Sequence, residues 1–115
     1  TAEVIVAAGG KGLNVARVAR TLGQPALVCA PLGGLTGELV AQLAEAEGLP
    51  ARWTRHRAGE TRTCVLLVDP AGGDATALNE VGPPLAEADW AAFAADVRGL
   101  APGAAMVLIT GSMPH

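Results

Sequence analysis

At 115 residues, the chain has room for one domain with a core of its own. Half of it is hydrophobic and 17% is charged, which excludes a disordered segment. The net charge of −3 gives no electrostatic reason to expect a nucleic acid or an anionic membrane as partner, and the apolar runs are strand-sized, too short to span a bilayer. No secretory leader is expected at Thr1. Cys29 and Cys64 each lie inside an apolar run, which predicts buried, reduced thiols and a cytoplasmic protein. Without a C-x-x-C or a Cys/His cluster, no metal site is expected. His56 and His115 stand alone and read as surface residues.

In chain order, Glu3 to Ala8 is a short β-prone run that feeds a glycine loop. Lys11 to Leu22 reads as a helix, with Val15, Val18, Ala19 and Leu22 at helical spacing and Gly23 placed to end it. Ala26 to Ala30 reads as a strand covered on both faces. Thr36 is the predicted cap of a second helix running to Glu47, with Leu39, Val40 and Leu43 on its apolar face and Gly48 and Pro50 closing it. Ala51 to Gly59 is polar and basic. Cys64 to Val68 and Ala75 to Asn79 read as strands joined by the breaker-rich turn PAGGD. Ala86 to Arg98 is a third predicted helix, with Trp90, Phe93, Ala94 and Val97 on one face. Ala105 to Thr110 is an apolar strand that runs into Gly111-Ser112.

Strands alternating with helices predict an α/β layered fold with a mostly parallel sheet. The loops after Ala30 and Thr110 then leave its carboxyl edge, where open α/β folds bind ligands. The stretch from Ala51 to Asn79 breaks the alternation and reads as strands set apart from that sheet.

The richest chemistry lies in AGGKGLNVARVARTLG, from Ala8 to Gly23. Gly9, Gly10 and Gly12 let the backbone bend and approach a ligand closely. The helix that follows begins with unpaired N–H groups and a positive dipole end. Lys11 adds a point charge, and Asn14 can both donate and accept. The loop matches neither G-x-G-x-x-G nor G-x-x-x-x-G-K-[ST]. By composition alone, a polar small-molecule site and a turn that merely starts a helix are equally consistent with it.

Four of the eight Lys and Arg residues lie between Arg52 and Arg62. Arg52, Arg55 and Arg57 read as a solvated face or a protected edge. Ser112 offers a hydroxyl just past a buried strand, or else stabilises a turn; no G-x-S-x-G elbow makes it a nucleophile. Asn79, Glu80 and Gly82 shape either a pocket or a turn, and Asp69, Asp74 and Asp89 read as turn and helix-start residues.

Three segments resemble, in order, the PfkB (ribokinase-like) sugar kinase family. GGKGLNVARVARTLG resembles its N-terminal signature. GETRTCVLLVD followed by ATALNEVGP resembles the middle of the 1-phosphofructokinase and tagatose-6-phosphate kinase branch. VLITGSMP resembles a strand ending in a Gly-Ser-Leu-Pro turn. The resemblance implies a ribokinase-like fold in which the region around 51–79 forms part of a small β lid over the sugar. It implies that Gly10, Lys11, Gly12 and Asn14 form the sugar loop, with Arg62 and Ser112 near the substrate phosphate. The implied reaction moves the γ-phosphoryl of ATP, with Mg²⁺, onto a sugar-phosphate hydroxyl, and fructose 1-phosphate is the favoured acceptor. Tagatose 6-phosphate, fructose 6-phosphate, an unphosphorylated sugar and a non-catalytic sugar-phosphate-binding domain remain alternatives.

The family's Asn-Pro-Ala-x-x-Asp segment and its Gly-Ala-Gly-Asp motif with the catalytic base do not occur in these residues. The chain therefore reads as an internal fragment, part of the substrate half, inactive alone and marginally stable. A homodimer through lid strands is an expectation for the whole enzyme. Met113, His115 and Cys64 stand where relatives more often carry Leu, Pro and Asn.

Overall fold

The fold is built around one β-α-β unit and one separate hairpin. The computed structural model describes residues 3–112. Helix α1 (Lys11–Thr21) is followed by strand β1 (Val28–Gly33), helix α2 (Gly34–Ala46) and strand β2 (Ala51–His56). Strands β3 (Cys64–Asp69) and β4 (Asp74–Asn79) come next, then helix α3 (Glu87–Leu100) and a 3₁₀ turn at Ala101–Gly103.

Strands β1 and β2 pair in parallel, from Val28 opposite Ala51 to Gly33 opposite His56. The basic stretch expected to stand apart thus begins inside the main sheet. In β2, Arg52 and Arg55 are exposed and Thr54 and His56 are buried. Burial of His56 corrects the surface reading: its Nδ1 accepts the Ala58 N–H at 3.3 Å in a turn folded against Gly33. His115, Met113 and Pro114 lie outside the described residues.

The core is small because its residues are small. Ala8, Leu13, Ala16, Val28, Ala44 and Leu49 form it, with Val40, Leu43 and Trp53 packed around the edge. Polar clasps hold what so few methyl groups cannot. Asp96 of α3 accepts from Arg52 at 2.9 Å and from the Thr54 hydroxyl at 2.6 Å, fixing α3 to β2. Arg17 of α1 pairs with Glu47, just past the end of α2, through Nε at 2.7 Å and Nη2 at 2.6 Å. At the other end of α2, the Glu60 carboxylate accepts the Thr36 N–H and the Thr36 hydroxyl, each at 2.8 Å.

That last contact corrects the predicted helix cap. Helix α2 starts at Gly34 after an extended Gly33, so Thr36 sits inside its first turn. Neither glycine can cap with a side chain, and a carboxylate from 24 residues away serves instead. Gly34 is needed twice over: its φ is +66°, and a Cβ there would lie 2.2 Å from the Glu60 carboxylate.

Strands β3 and β4 form the expected antiparallel hairpin, with Asp69 opposite Asp74 at the turn. The Asp69 carboxylate accepts the Ala71 N–H at 2.9 Å, as an aspartate in a turn commonly does. Every residue of both strands is exposed. Cys64 is therefore exposed and Cys29 only half-buried, which corrects the expectation of two buried thiols. Burial, with the charge of Asp96, still pushes the Cys29 thiol up, although Arg52 opposes it, so the thiol stays protonated at neutral pH.

The apolar runs Glu3 to Ala8 and Ala105 to Thr110 form no strand ladder among the described residues. Periodicity finds a strand, but a ladder needs a neighbour, and Ile5 and Ile109 are 79% and 88% exposed. Helix α3 likewise buries none of its residues fully, although Trp90 and Phe93 meet edge to face at 6.1 Å.

Two outcomes follow from the clasps. Gly34→Ala is expected to destabilise the protein by about 2–4 kcal/mol, from left-handed strain plus displacement of Glu60, read as a lower urea midpoint. Hydrogen bonds lower the folded pKa of Glu47, Glu60 and Asp96, from Arg17, from Thr36 and from Thr54 respectively. The unfolded chain then binds more protons on acidification. Their stabilisation is complete above the unfolded carboxylate pKa of about 4 and is lost as pH falls through the lower folded values. Urea midpoints measured from pH 6 down to pH 3 should fall, and less steeply in Glu47→Gln.

Candidate functional site

The glycine loop enters α1 through Gly10, whose φ of +112° is open to glycine and strained for other residues. A Cβ at Gly9, Gly10 or Gly12 would meet nothing within 4 Å. Among the described residues, nothing packs over these three glycines. Among the described residues no side chain caps α1, whose first closing bond runs from the Asn14 N–H to the Gly10 carbonyl at 3.0 Å. Its leading N–H groups and positive dipole end lie at these glycines.

Behind the loop, Arg17 gathers the surrounding chain. Besides Glu47, it donates to the Ala8 carbonyl at 2.5 Å and to Asn14 Oδ1 at 2.8 Å. The hydrogen bond to Glu47 raises the Arg17 pKa further against the opposing effect of burial, so the guanidinium is always charged. The contact with Asn14 settles its amide. A guanidinium only donates, so it holds the carbonyl oxygen and turns the NH₂ group away from itself. Asn14 is exposed at this point, and its remaining capacity is mainly that of a donor.

The segment carrying Arg62 is seated at the carboxyl end of β1. Thr61 exchanges two bonds with Gly33: its N–H donates to the Gly33 carbonyl at 2.8 Å, and its Oγ1 accepts the Gly33 N–H at 2.9 Å. The Thr36 hydroxyl lies 2.6 Å from the Thr61 carbonyl and 2.8 Å from Glu60, and donates its single proton to one at a time. On the far side, the Thr63 N–H donates to Glu80 Oε2 at 2.8 Å and the Thr63 carbonyl accepts the Glu80 N–H at 3.2 Å. Glu80 thus extends the β3–β4 ladder by one rung. Asn79, Glu80 and Thr63, with Val65, Ala77 and Leu78, line an open hollow of about 390 Å³.

Arg62 itself is exposed, with its Cδ passing over Gly82. The ion pairs among the described residues engage Arg17, Arg52 and Arg55, so Lys11 and Arg62 keep their charges unpaired. Arg52 and Arg55 behave as the solvated cations expected of them, paired with Asp96 and Glu38. Ser112 is exposed after Gly111, at the end of the described residues. The structure therefore places Gly10 at the N-cap of α1 and Lys11, Gly12 and Asn14 in its first residues, not in the loop that the resemblance implies. It holds Arg62 on a separate seat and leaves Ser112 without a described contact to either.

Sequence reasoning missed the residues behind these groups. Arg17 lies within the singled-out motif, but its partner Glu47 is 30 residues away, just past the end of α2. Glu60, Thr61 and Thr36 come together only when the chain folds, and the sole local signal was the Gly33-Gly34 pair that opens room for them.

The pfkB family carbohydrate kinase profile matches residues 2–115. A Thermotoga maritima protein described as a possible 1-phosphofructokinase is 27% identical and superposes with a TM-score of 0.85 over 92% of this chain and 33% of its own. Phosphofructokinase-2 from Escherichia coli, in complex with fructose-6-phosphate, is 30% identical with a TM-score of 0.74, over 79% of this chain and 30% of its own. A tetrameric inhibited form of that enzyme gives a TM-score of 0.71 at 30% identity, over 77% of this chain and 29% of its own. The chain spans about a third of the length of these structures. Its profile match, its ribokinase-like fold and its glycine loop make this chain a member of the pfkB family of carbohydrate kinases.

Proposed function

We propose that these residues form the substrate half of an ATP-dependent hexose-phosphate kinase that converts fructose 1-phosphate to fructose 1,6-bisphosphate. The observation that carries the reading is the fixed amide of Asn14, held by Arg17 at 2.8 Å beside a helix start that no side chain caps. A donor set in one direction suits a sugar oxygen, and Gly10 and Gly12 leave room for the sugar to approach. The unpaired charges of Lys11 and Arg62 suit an acceptor that already bears a phosphate. Ser112 is assigned to the same substrate by its place in the Gly-Ser turn.

The reaction moves the γ-phosphoryl group of ATP to a sugar hydroxyl, with Mg²⁺ neutralising charge. Among the described residues no three His, Cys, Asp or Glu side chains gather as metal ligands, and no Gly-Ala-Gly-Asp occurs in the sequence. Nucleotide, metal and catalytic base are therefore assigned to the remainder of the protein, and these 115 residues alone are expected to be inactive. What they contribute is binding, orientation and, through the β3–β4 hairpin acting as a lid, exclusion of water from the phosphoryl group. The hairpin is exposed on both faces, which supports a homodimer of the whole enzyme through its lid. We assign the enzyme to the cytoplasm.

A second reading takes fructose 6-phosphate as acceptor. It is favoured by the 30% identity to the Escherichia coli enzyme crystallised with that sugar. Tagatose 6-phosphate is tested alongside it.

The deciding assay measures ATP-dependent phosphorylation by the full-length protein. Fructose 1-phosphate is expected to give the highest kcat/KM, ahead of fructose 6-phosphate, tagatose 6-phosphate and free fructose. A higher value for free fructose rejects the phosphosugar reading, and binding without turnover of any sugar leaves a non-catalytic domain. Asn14→Asp keeps an oxygen for Arg17 but loses the donor, so kcat/KM is expected to fall about 10–100-fold at unchanged Tm. Lys11→Ala and Arg62→Ala should each raise KM for the phosphorylated sugar while sparing weak turnover of free fructose.

A further inference from the structure

We propose that Glu60 is a positioning residue: its carboxylate, set on the N-terminus of α2, holds the segment that carries Arg62 at the carboxyl end of β1. The inference rests on the reading of Arg62 as a ligand of the substrate phosphate.

Residues 57–63 belong to no helix or strand, so nothing regular fixes Arg62. The anchoring falls to its neighbours. The Glu60 carboxylate takes the Thr36 N–H and hydroxyl, and it also faces the Leu35 N–H. These are donors that a helix starting at two glycines leaves unsatisfied. Thr61 then locks to Gly33 in both directions, and Thr63 locks to Glu80. Arg62 stands between two pinned residues, with its backbone position set and its side chain exposed.

The seat is cut to receive this segment. A Cβ on Gly33 would lie 2.3 Å from the Gly59 carbonyl, one on Gly34 2.2 Å from the Glu60 carboxylate, and one on Gly37 3.0 Å from Thr61 Oγ1. Three positions on one junction lack side chains where the segment crosses them. Occupation by Glu60 has a second consequence. The positive end of α2 is already satisfied by an internal anion, so it offers nothing to a ligand phosphate. Recognition of that phosphate is left to free cations such as Arg62.

The test uses the full-length kinase with Glu60→Ala, Glu60→Gln, Arg62→Ala and the double variant Glu60→Ala/Arg62→Ala. Glu60→Ala is expected to raise KM for the sugar phosphate about tenfold, with kcat within threefold, KM for ATP unchanged and turnover of free fructose unchanged. Glu60→Gln, which keeps one acceptor oxygen, should fall between this variant and the wild type. The double variant should be no worse than Arg62→Ala, because Glu60 acts only through Arg62. Hydrogen exchange should show the Thr61 and Thr63 amides losing protection in Glu60→Ala. If that variant does not fold, Thr36→Val, which removes the shared hydroxyl alone, should give the same pattern at smaller amplitude. Multiplying effects in the double variant, or equal loss with phosphorylated and free sugar, would overturn the proposal. So would an impaired Arg62→Ala beside a normal Glu60→Ala, and that result would leave the phosphate reading of Arg62 intact. An Arg62→Ala variant with normal KM would remove that reading and the proposal with it.

Discussion

The glycine loop depends on one guanidinium. Arg17 reaches back to the Ala8 carbonyl, across to Glu47 with two nitrogens and along its own helix to Asn14. Those partners belong to the entering chain, to the segment after α2 and to the candidate sugar-binding residue. A lysine has three donors on one atom and cannot span such a planar set. The core around Ala8, Leu13 and Ala16 is built largely of small side chains and gives little directional constraint. Burial keeps the loop against the protein, and Arg17 decides which way it faces.

Helix α2 joins this arrangement to the other half of the candidate site. At its carboxyl end, Glu47 is an anion where the dipole disfavours one, and Arg17 and Arg20 offset it; Arg20 also donates to the Glu47 carbonyl. At its amino end, Glu60 is an anion where the dipole favours one. A helix of 13 residues spans about 20 Å. The glycine loop and the Arg62 segment are thus fastened to opposite ends of one rigid rod. Neither fastening is hydrophobic, so each loosens with acid while the small core remains. Substrate binding should therefore be more sensitive to low pH than the helices themselves.

Much of this was legible in the sequence, for definite reasons. Helices α1 and α3 announced themselves by spacing, although in α1 the residues that set it, Val15, Val18 and Leu22, are exposed and Leu13 and Ala16 are buried instead; the β3–β4 hairpin was marked by the PAGGD turn between two strand-like runs. The α/β class followed from the order of elements, and the family from three motifs in sequence. The failures share a cause. Thr36 had the chemistry of a cap, but the cap lies three residues earlier, at Gly33, and the capping role falls to Glu60. His56 looked isolated because its burial comes from a turn folding over Gly33. Cys64 sat in an apolar run, yet a hairpin without a covering layer buries neither face. The β-prone runs at Glu3 and Ala105 had the right composition and find no neighbour to pair with among the described residues. Local pattern specifies what a segment can become, and long-range partners decide whether it does.

The division of labour among the polar groups is the more general point. Of the three α-helix starts, that of α2 is neutralised by Glu60, and in α3 the Asp89 carboxylate accepts the Ala86 N–H at 3.3 Å. Among the described residues, α1 is the helix that begins without a side-chain partner, and it does so at the glycine loop. Arg17, Arg52 and Arg55 are likewise consumed by carboxylates, and Lys11 and Arg62 are not. Holding the fold and binding a ligand draw on the same kinds of group. A donor already matched to an internal acceptor gains little by exchanging it for an external one. Unmatched groups are therefore the ones from which a ligand gains most. Lys11 and Arg62 fall on residues of the recognised motifs, whereas Arg57 and Arg98, which also lack an ion pair among the described residues, do not.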